Sequence, residues 1–132
     1  MKDSFKKLLT LSDRNIKENP FSTRKNLPLS YMKEIVGEIE EVKNEYKNNN
    51  SIYLEDELGD VLWDYLMVLQ SLKKDGYIDS IDKVFDRAVE KYSERMEILD
   101  LDDRKDAGAL WSKIKRGQKK ILRDRHYKKY NK

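Results

Sequence analysis

The sequence predicts an all-α protein, a helical bundle of four to five helices, and three observations support this class. Only two prolines and five glycines interrupt the 132 residues. Leu, Ile, Lys and Glu are abundant, as in helical proteins, and no segment shows the apolar–polar alternation of a half-buried strand. We expect a single domain over residues 1–132, with a core at about 19–116 and a basic C-terminal tail at 117–132.

Five segments have the apolar spacing of a helix, and breaking residues separate them. The predicted helices are 4–18, 31–47, 52–74, 81–99 and 107–124. Pro20 and Pro28 bound an irregular stretch between the first two helices, because proline interrupts a helix interior. The charged stretch 100–106 is predicted to be a loop.

Polar residues mark the predicted helix ends. Ser30, Ser51 and Ser80 each precede a helix, and a serine side chain there can accept a hydrogen bond from a free backbone N–H group. Three asparagines at 48–50 separate the second and third helices, since asparagine favours turns over helix interiors. Gly76 is the expected C-terminal stop of the third helix.

The predicted helix 52–74 is apolar on nearly all sides between Leu58 and Leu69. Such a helix is expected to be buried on most of its surface. A chain of this size has little material to surround a helix, so the pattern favours a homodimer or a dimer of dimers. The competing interpretation is an internal helix of a monomeric bundle.

Acidic residues form a stripe on each of two neighbouring helices. On helix 31–47, Glu34, Glu38, Glu41 and Glu45 share a face. On helix 52–74, the spacing of i, i+3 and i+7 brings three further acids to one face, within an otherwise apolar run. These are Glu57, Asp60 and Asp64. A single acidic stripe is often solvated surface, but acids that interrupt an apolar helix need a cation to neutralise them.

The two acidic stripes are expected to face each other across an antiparallel hairpin. If its turn is centred near Asn49, Glu41 lies opposite Glu57 and Glu38 lies opposite Asp60. By the same register, Asp64 lies one turn deeper, opposite Glu34.

Glu38, Glu41, Glu57 and Asp60 are therefore the predicted metal ligands and catalytic carboxylates. Carboxylate oxygens suit magnesium, with manganese as an alternative, and four of them can hold one to three ions with open coordination positions. Open positions permit metal-assisted phosphate chemistry.

The composition excludes other kinds of site. There is no cysteine, so disulfide scaffolds and thiolate metal centres are excluded, and a single histidine, His126, cannot make a histidine-rich zinc site. No apolar run is long enough to span a bilayer and the N-terminus lacks the apolar stretch of a signal peptide, so we expect a cytoplasmic protein.

The positive charge of the chain is concentrated at its C-terminus. Residues 115–132 carry nine Lys and Arg residues and a single acid, Asp124, whereas the preceding part is net acidic. A basic tail can bind nucleic acid. We favour a solvated helix end, since the tail contains few aromatic residues, and nucleic acid is not an expected partner.

The motifs resemble those of a known family. The stretches Glu38–Glu41 and Glu57–Asp60 are similar to the ExxE and ExxD motifs of the MazG-type all-α nucleoside triphosphate pyrophosphohydrolases. The stretch 57–63 resembles the ELGD segment of that family, in which Gly59 is expected to admit a close neighbour. The stretch 19–22 is a partial match to the N-terminal CPWD box of the family, and Gly37 departs from the acid that often precedes the first motif.

Two further segments resemble the nucleotide-contacting part of the family. Lys91 and Arg95 match a K-x-x-x-R segment, and Trp111 and Lys115 match a later W-x-x-x-K segment. The resemblance implies that the two cations of the first segment contact phosphate, that Trp111 stacks on a base or ribose, and that Lys115 adds positive charge. Without the resemblance, surface ion pairs and core packing would explain these residues equally well.

The resemblance implies cleavage of a nucleoside triphosphate between its α- and β-phosphates, in nucleotide-pool sanitation or control. Glu34, Asp56 and Asp64 are candidates for the general base or for support of the ligands, and the sequence does not choose among them. Three alternatives stay open: a narrower dUTP/dCTP or phosphoribosyl-ATP pyrophosphatase, a family member that binds nucleotide without hydrolysis, and a non-catalytic helical module that binds acidic partners or nucleic acid.

Overall fold

The computed structural model describes residues 2–100 and 106–131, and these residues are helical with no strand, which confirms the all-α prediction. The five α-helices are α1 (Lys2–Glu18), α2 (Leu27–Asn44), α3 (Ser51–Lys74), α4 (Ile81–Arg95) and α5 (Ala107–Tyr130). Two short 3₁₀ helices follow α1 and α4, at Pro20–Thr23 and Met96–Asp100. None of the described helices is long and apolar enough to cross a membrane.

The chain divides into two compact units, one over Met1–Ile81 and one over Asp82–Lys132. The first unit contains α1, α2 and α3, and the second contains α5 and all of α4 except its first residue. The prediction of a single domain stays a prediction.

Helix α2 begins earlier than predicted. Pro28 lies in its first turn, where a missing N–H group costs nothing because that group has no partner within a helix. Ser30 is therefore inside the helix, and the N-cap residue is Asn26, in the left-handed region at φ 57°. The predicted cap at Ser30 is wrong for this reason.

The turn between α2 and α3 is held by a side chain. Helix α2 ends at Asn44, three residues before the predicted end. The Asn50 amide then donates to the Glu45 carbonyl oxygen at 2.9 Å and to the Glu45 carboxylate at 2.6 Å. Asn49 adopts a left-handed conformation at φ 55°, as asparagine tolerates. Ser51 is the first residue of α3 instead of its cap, and Asn50 stands in the cap position.

Both helices of the second unit differ from the predicted bounds. Helix α4 ends at Arg95, and the four residues up to the predicted end at 99 belong to the 3₁₀ helix. Helix α5 continues to Tyr130, so the predicted basic tail is largely helical. Within the predicted loop 100–106, residues 101–105 lie outside the described residues.

The core of the first unit lies where α1 crosses the C-terminal half of α3. Ile16, Leu27 and Met67 form a buried cluster, against which Tyr31 and Trp63 pack. Burial of α3 is nearly complete from residue 66 to residue 71, whereas Leu58 and Leu62 nearer its N-terminus stay partly exposed. The expectation that α3 is buried on most sides therefore holds within the chain for its second half alone.

Candidate metal centre

Three carboxylates of the first unit converge between α2 and α3. Glu38 on α2 and Glu57 and Asp60 on α3 each offer an oxygen, and these three oxygens lie within 4.8 Å of one another. Glu57 and Asp60 are three residues apart and therefore share one face of α3. Glu38 and Glu57 are partly buried, whereas Asp60 is exposed, so the cluster opens to solvent. The structure thus brings together three of the four carboxylates that the sequence proposes as ligands.

Glu41, the fourth proposed ligand, lies outside this group of three but acts on it. The pKa of Glu57 is raised, first by loss of hydration and then by the negative charges of Asp60, Glu38, Glu41 and Asp56. Glu41 and Asp56 are both exposed on the edge of the cluster. The Glu41 carboxylate is therefore close enough for its charge to raise the pKa of Glu57, although its oxygens lie outside the group of three.

Asp64 lies one turn deeper and forms a hydrogen bond with Glu34, the pairing expected from the hairpin register. The Asp64 side chain is buried, with 6% of its surface exposed. Burial, followed by the charges of Glu34, Glu38 and Asp60, raises the pKa of Asp64 to about 6. The hydrogen bond with Glu34 also favours the protonated form of the Asp64 carboxyl.

The three carboxylates of this cluster are suitable ligands for a hard divalent cation such as magnesium. Magnesium with ligands at about 2.1 Å holds neighbouring oxygens about 3 Å apart and opposite ones about 4 Å apart. The three oxygens of Glu38, Glu57 and Asp60 lie within 4.8 Å of one another. Loss of hydration and then the charges of the neighbouring carboxylates raise the pKa of Glu57, and a bound cation would offset this repulsion.

Gly59 lies between these ligands on α3. A Cβ atom at Gly59 would meet no other atom within 4 Å. The expectation that this glycine admits a close neighbour is therefore not met within the described chain.

A polar layer from α1 extends the site, and sequence reasoning missed it. Tyr31 interacts with Asn15, and its pKa is raised by burial and by the charge of Glu34 and, more weakly, that of Asp64. Asn15 also accepts a hydrogen bond from the Asn19 amide at 2.9 Å and donates to the Met67 sulfur at 3.5 Å. The available signal was the i, i+4 spacing of Asn15, near the end of α1, and Asn19, just after it.

The second unit carries the residues that the sequence assigns to nucleotide contact. Arg95 is buried at 7% exposure, with its guanidinium carbon 5.2 Å from the centre of the Trp111 ring and 5.5 Å from that of Tyr92. The structure thus brings Arg95 and Trp111 together. Lys91 is partly buried, with its Nζ atom 5.9 Å from the Tyr92 ring, and Lys115 is exposed.

Gln118 holds Arg95 in place and is a second residue that sequence reasoning missed. The Arg95 Nε–H group donates to Gln118 Oε1 at 2.9 Å. The Gln118 amide in turn donates to the Lys91 carbonyl oxygen at 2.9 Å. Gln118 lies two helical turns after Trp111 and is buried. The seven-residue spacing, which places both residues on one side of α5, was the signal in the sequence for this position.

Comparison with known proteins agrees with these observations. The family model of the MazG nucleotide pyrophosphohydrolase domain matches residues 27–99, which include the metal centre and, in the second unit, Lys91 and Arg95. Trp111 and Lys115 lie beyond the matched residues. No curated protein and no solved structure gives a match. The match covers more than half of the sequence and includes α2 and α3, the two helices that carry the carboxylate cluster. This chain therefore belongs to the MazG nucleotide pyrophosphohydrolase domain family.

Proposed function

We propose that the protein is a magnesium-dependent nucleoside triphosphate pyrophosphohydrolase that releases a nucleoside monophosphate and pyrophosphate. The observation that carries this proposal is the convergence of Glu38, Glu57 and Asp60 within 4.8 Å in a domain of this family. Manganese is an alternative ion with the same preference for oxygen ligands.

The carboxylates have separate roles in this proposal. Glu38, Glu57 and Asp60 hold the ion, and Glu41 adds a fourth oxygen at the edge of the cluster. A bound magnesium ion supplies polarisation of the phosphoryl group and activation of water. Water adds to one of the two phosphorus atoms that flank the α–β bridging oxygen, the bond from that phosphorus to the bridging oxygen breaks, and nucleoside monophosphate and pyrophosphate are the products.

The proton released by water needs an acceptor close to the ligands. Asp64 is buried and hydrogen-bonded to Glu34, so this pair suits support and orientation of Glu38 and Asp60. Asp56 is exposed beside Glu57 and is better placed to exchange a proton with solvent. We therefore favour Asp56 as the base and the Asp64–Glu34 pair as support.

The nucleotide-contacting roles that the family resemblance implies also stay part of this proposal. Lys91 and Arg95 contact phosphate oxygens. The compact charge of a lysine ammonium group suits this contact, and the planar guanidinium group of an arginine can donate two hydrogen bonds to one phosphate. Trp111, against which the Arg95 guanidinium stacks, offers a ring face to a base or ribose, and Lys115 adds positive charge. Narrower specificity for dUTP, dCTP or phosphoribosyl-ATP is the alternative within the same fold.

We also propose that the protein is a homodimer or homotetramer. Exposed apolar side chains form a stripe on α2 and another on α3, and their helical spacing places both away from the carboxylates. The stripe residues are Met32, Val36, Ile39, Leu58, Leu62 and Tyr65, each between 38% and 66% exposed. A second copy that covers this surface would remove it from water.

The catalytic proposal is tested by pyrophosphate release from a panel of nucleotides with magnesium. We expect Glu57→Gln and Asp60→Asn each to lower kcat by at least about 100-fold, because each removes a charged ligand. Glu55→Gln is the matched control, since Glu55 is an exposed acid of α3 outside the cluster. Full activity of both ligand variants, or no pyrophosphate from any nucleotide, would contradict the proposal. The pattern across the panel decides between broad and narrow specificity.

A further inference from the structure

Helix α5 carries a continuous basic stripe on one side. Its five cationic residues fall within an arc of about 120° at 3.6 residues per turn. They are Lys113, Arg116, Lys119, Lys120 and Arg123, and all five are exposed. We call them the α5 basic stripe. Because α5 is helical up to Tyr130, these charges have fixed spacing, which a flexible tail would not give them.

The charges of the stripe have no ion-pair partner within the part of the chain that the structure describes. Among residues 2–100 and 106–131, no carboxylate forms an ion pair with any of the five cations. By contrast, Arg125 on another side of α5 pairs with Glu90 of α4 at 2.9 Å. Asp124, the single acid of α5, lies at the border of the stripe. Like charges three and four residues apart destabilise a helix slightly, and a polyanion bound along the stripe removes this repulsion.

Two tyrosines continue the stripe toward the C-terminus of α5. Tyr127 and Tyr130 fall within the same arc, and each is 63% exposed. The ring centre of Tyr130 lies 5.0 Å from that of His126, so the end of the helix presents several aromatic rings together. The large aliphatic residues of this part of α5, Ile121 and Leu122, lie outside the arc. The stripe thus combines cations with planar rings and lacks the aliphatic side chains that enter a lipid surface.

We propose that the α5 basic stripe binds single-stranded nucleic acid, independently of nucleotide hydrolysis. The five cations contact successive backbone phosphates, and Tyr127 and Tyr130 stack on unpaired bases, a combination common to proteins that bind single strands without sequence preference. From Lys113 to Tyr130 the helix rises about 26 Å, which suits the lower end of the usual range of roughly 4 to 16 nucleotides. The exposed end of α5 is compatible with the solvated helix end that the sequence favours, and this proposal goes beyond that expectation.

The first test measures fluorescence anisotropy of a labelled oligothymidine of about 20 nucleotides, with a 5′-hydroxyl end, over a range of salt concentrations. The full-length chain is expected to bind, and the triple variant Arg116→Gln/Lys120→Gln/Arg123→Gln is expected to bind at least tenfold more weakly. The slope of log affinity against log salt should fall by about 2 for three lost contacts to a single strand. The matched control is Lys6→Gln/Lys7→Gln/Lys47→Gln, which loses the same charge from exposed positions elsewhere.

The second test examines base stacking. Tyr127→Ala/Tyr130→Ala should weaken binding of oligothymidine several-fold without changing the salt slope. A duplex that binds more tightly than the single strand, and equally to this variant and the parent chain, would overturn the assignment to single strands. Tighter binding to vesicles of anionic phospholipid than to the oligonucleotide would overturn the choice of nucleic acid as partner.

Two further outcomes would overturn the proposal as a whole: no binding by the parent chain at low salt, or equal losses in the stripe variant and its charge-matched control. Pyrophosphate release by the stripe variant should stay within about twofold of the parent in the same assay, because none of its substituted residues belongs to the proposed site. Failure of nucleic-acid binding and failure of catalysis are therefore distinguishable.

Discussion

At the scale of single residues, Asp64 links the carboxylate cluster to the stability of the fold. Its pKa of about 6 lies above the value of about 3.9 that an aspartate has in an unfolded chain. The folded protein therefore binds more protons than the unfolded chain between these values. The contribution of Asp64 is fully present below about pH 4 and is lost as the pH rises through about 6.

Asp64→Asn removes this pH dependence. Without divalent ions, we expect the variant to be more stable than the parent chain at pH 7, by on the order of 2 kcal/mol, and the difference to disappear near pH 4. Urea unfolding in the presence of a chelator at both pH values measures this. An asparagine variant that is less stable than the parent by the same amount at both values would contradict the assignment.

Gln118 has a structural role that can be separated from any contact with nucleotide. Gln118→Leu leaves the buried Arg95 Nε–H group without its acceptor, so the free energy of unfolding should fall by about 1–3 kcal/mol. Gln118→Glu keeps an acceptor oxygen and should retain more of the stability. Equal losses in the two variants by urea unfolding would show that the bond to Arg95 is not the cause.

At the scale of helices and turns, replacing glycine by alanine is expected to have opposite effects on stability at two positions. Gly76 follows α3 at φ 81°, where a Cβ atom is strained, whereas Gly117 lies inside α5. A Cβ at either position meets no atom within 4 Å, so crowding does not complicate the comparison. Gly76→Ala should destabilise by about 1–2 kcal/mol, and Gly117→Ala should stabilise by up to about 1 kcal/mol. Thermal unfolding of both variants checks the signs, and a stabilised Gly76 variant would refute the strain argument.

The presence of each helix was predictable from apolar spacing, but its ends were less so. The Pro28 ring was interpreted as a breaker although the first turn of a helix tolerates proline, and this displaced the expected cap to Ser30. The sequence-based end of α5 at Asp124 is too early, because neither Pro nor Gly follows Gly117 to stop the helix. Dense positive charge suggested a tail, yet lysine and arginine are good helix formers.

The site was predictable where it depends on local spacing and less so where it depends on tertiary contact. Glu57 and Asp60 share a face by helical periodicity alone, and the register of one short turn brought Glu38 to them. Asn15 and Gln118 gain their roles from Tyr31 and Arg95, on helices other than their own. Such pairings depend on packing between helices, for which the sequence has no comparable rule.

At the scale of the whole molecule, the exposed apolar stripes of α2 and α3 predict self-association. Leu62→Glu places a charge in the proposed interface and should shift the sedimentation coefficient toward that of a monomer. Ile52→Glu is the matched control, because Ile52 is an exposed apolar residue of α3 that lies off the stripe. A parent chain that sediments as a monomer, or an Ile52 variant that dissociates as readily as the Leu62 variant, would contradict this interface.

The short turn tied by Asn50 to Glu45 also has a kinetic consequence. Because α2 and α3 are adjacent in sequence, closing this hairpin costs little chain entropy, and such low-contact-order pieces form early in folding. The like charges of Glu38, Glu57 and Asp60 oppose closure of this hairpin. Magnesium should therefore speed refolding in stopped-flow measurements more than it slows unfolding, and the Glu57→Gln variant should lose most of this acceleration. The acidic cluster would then make the availability of divalent cations a determinant of how fast the newly made chain folds.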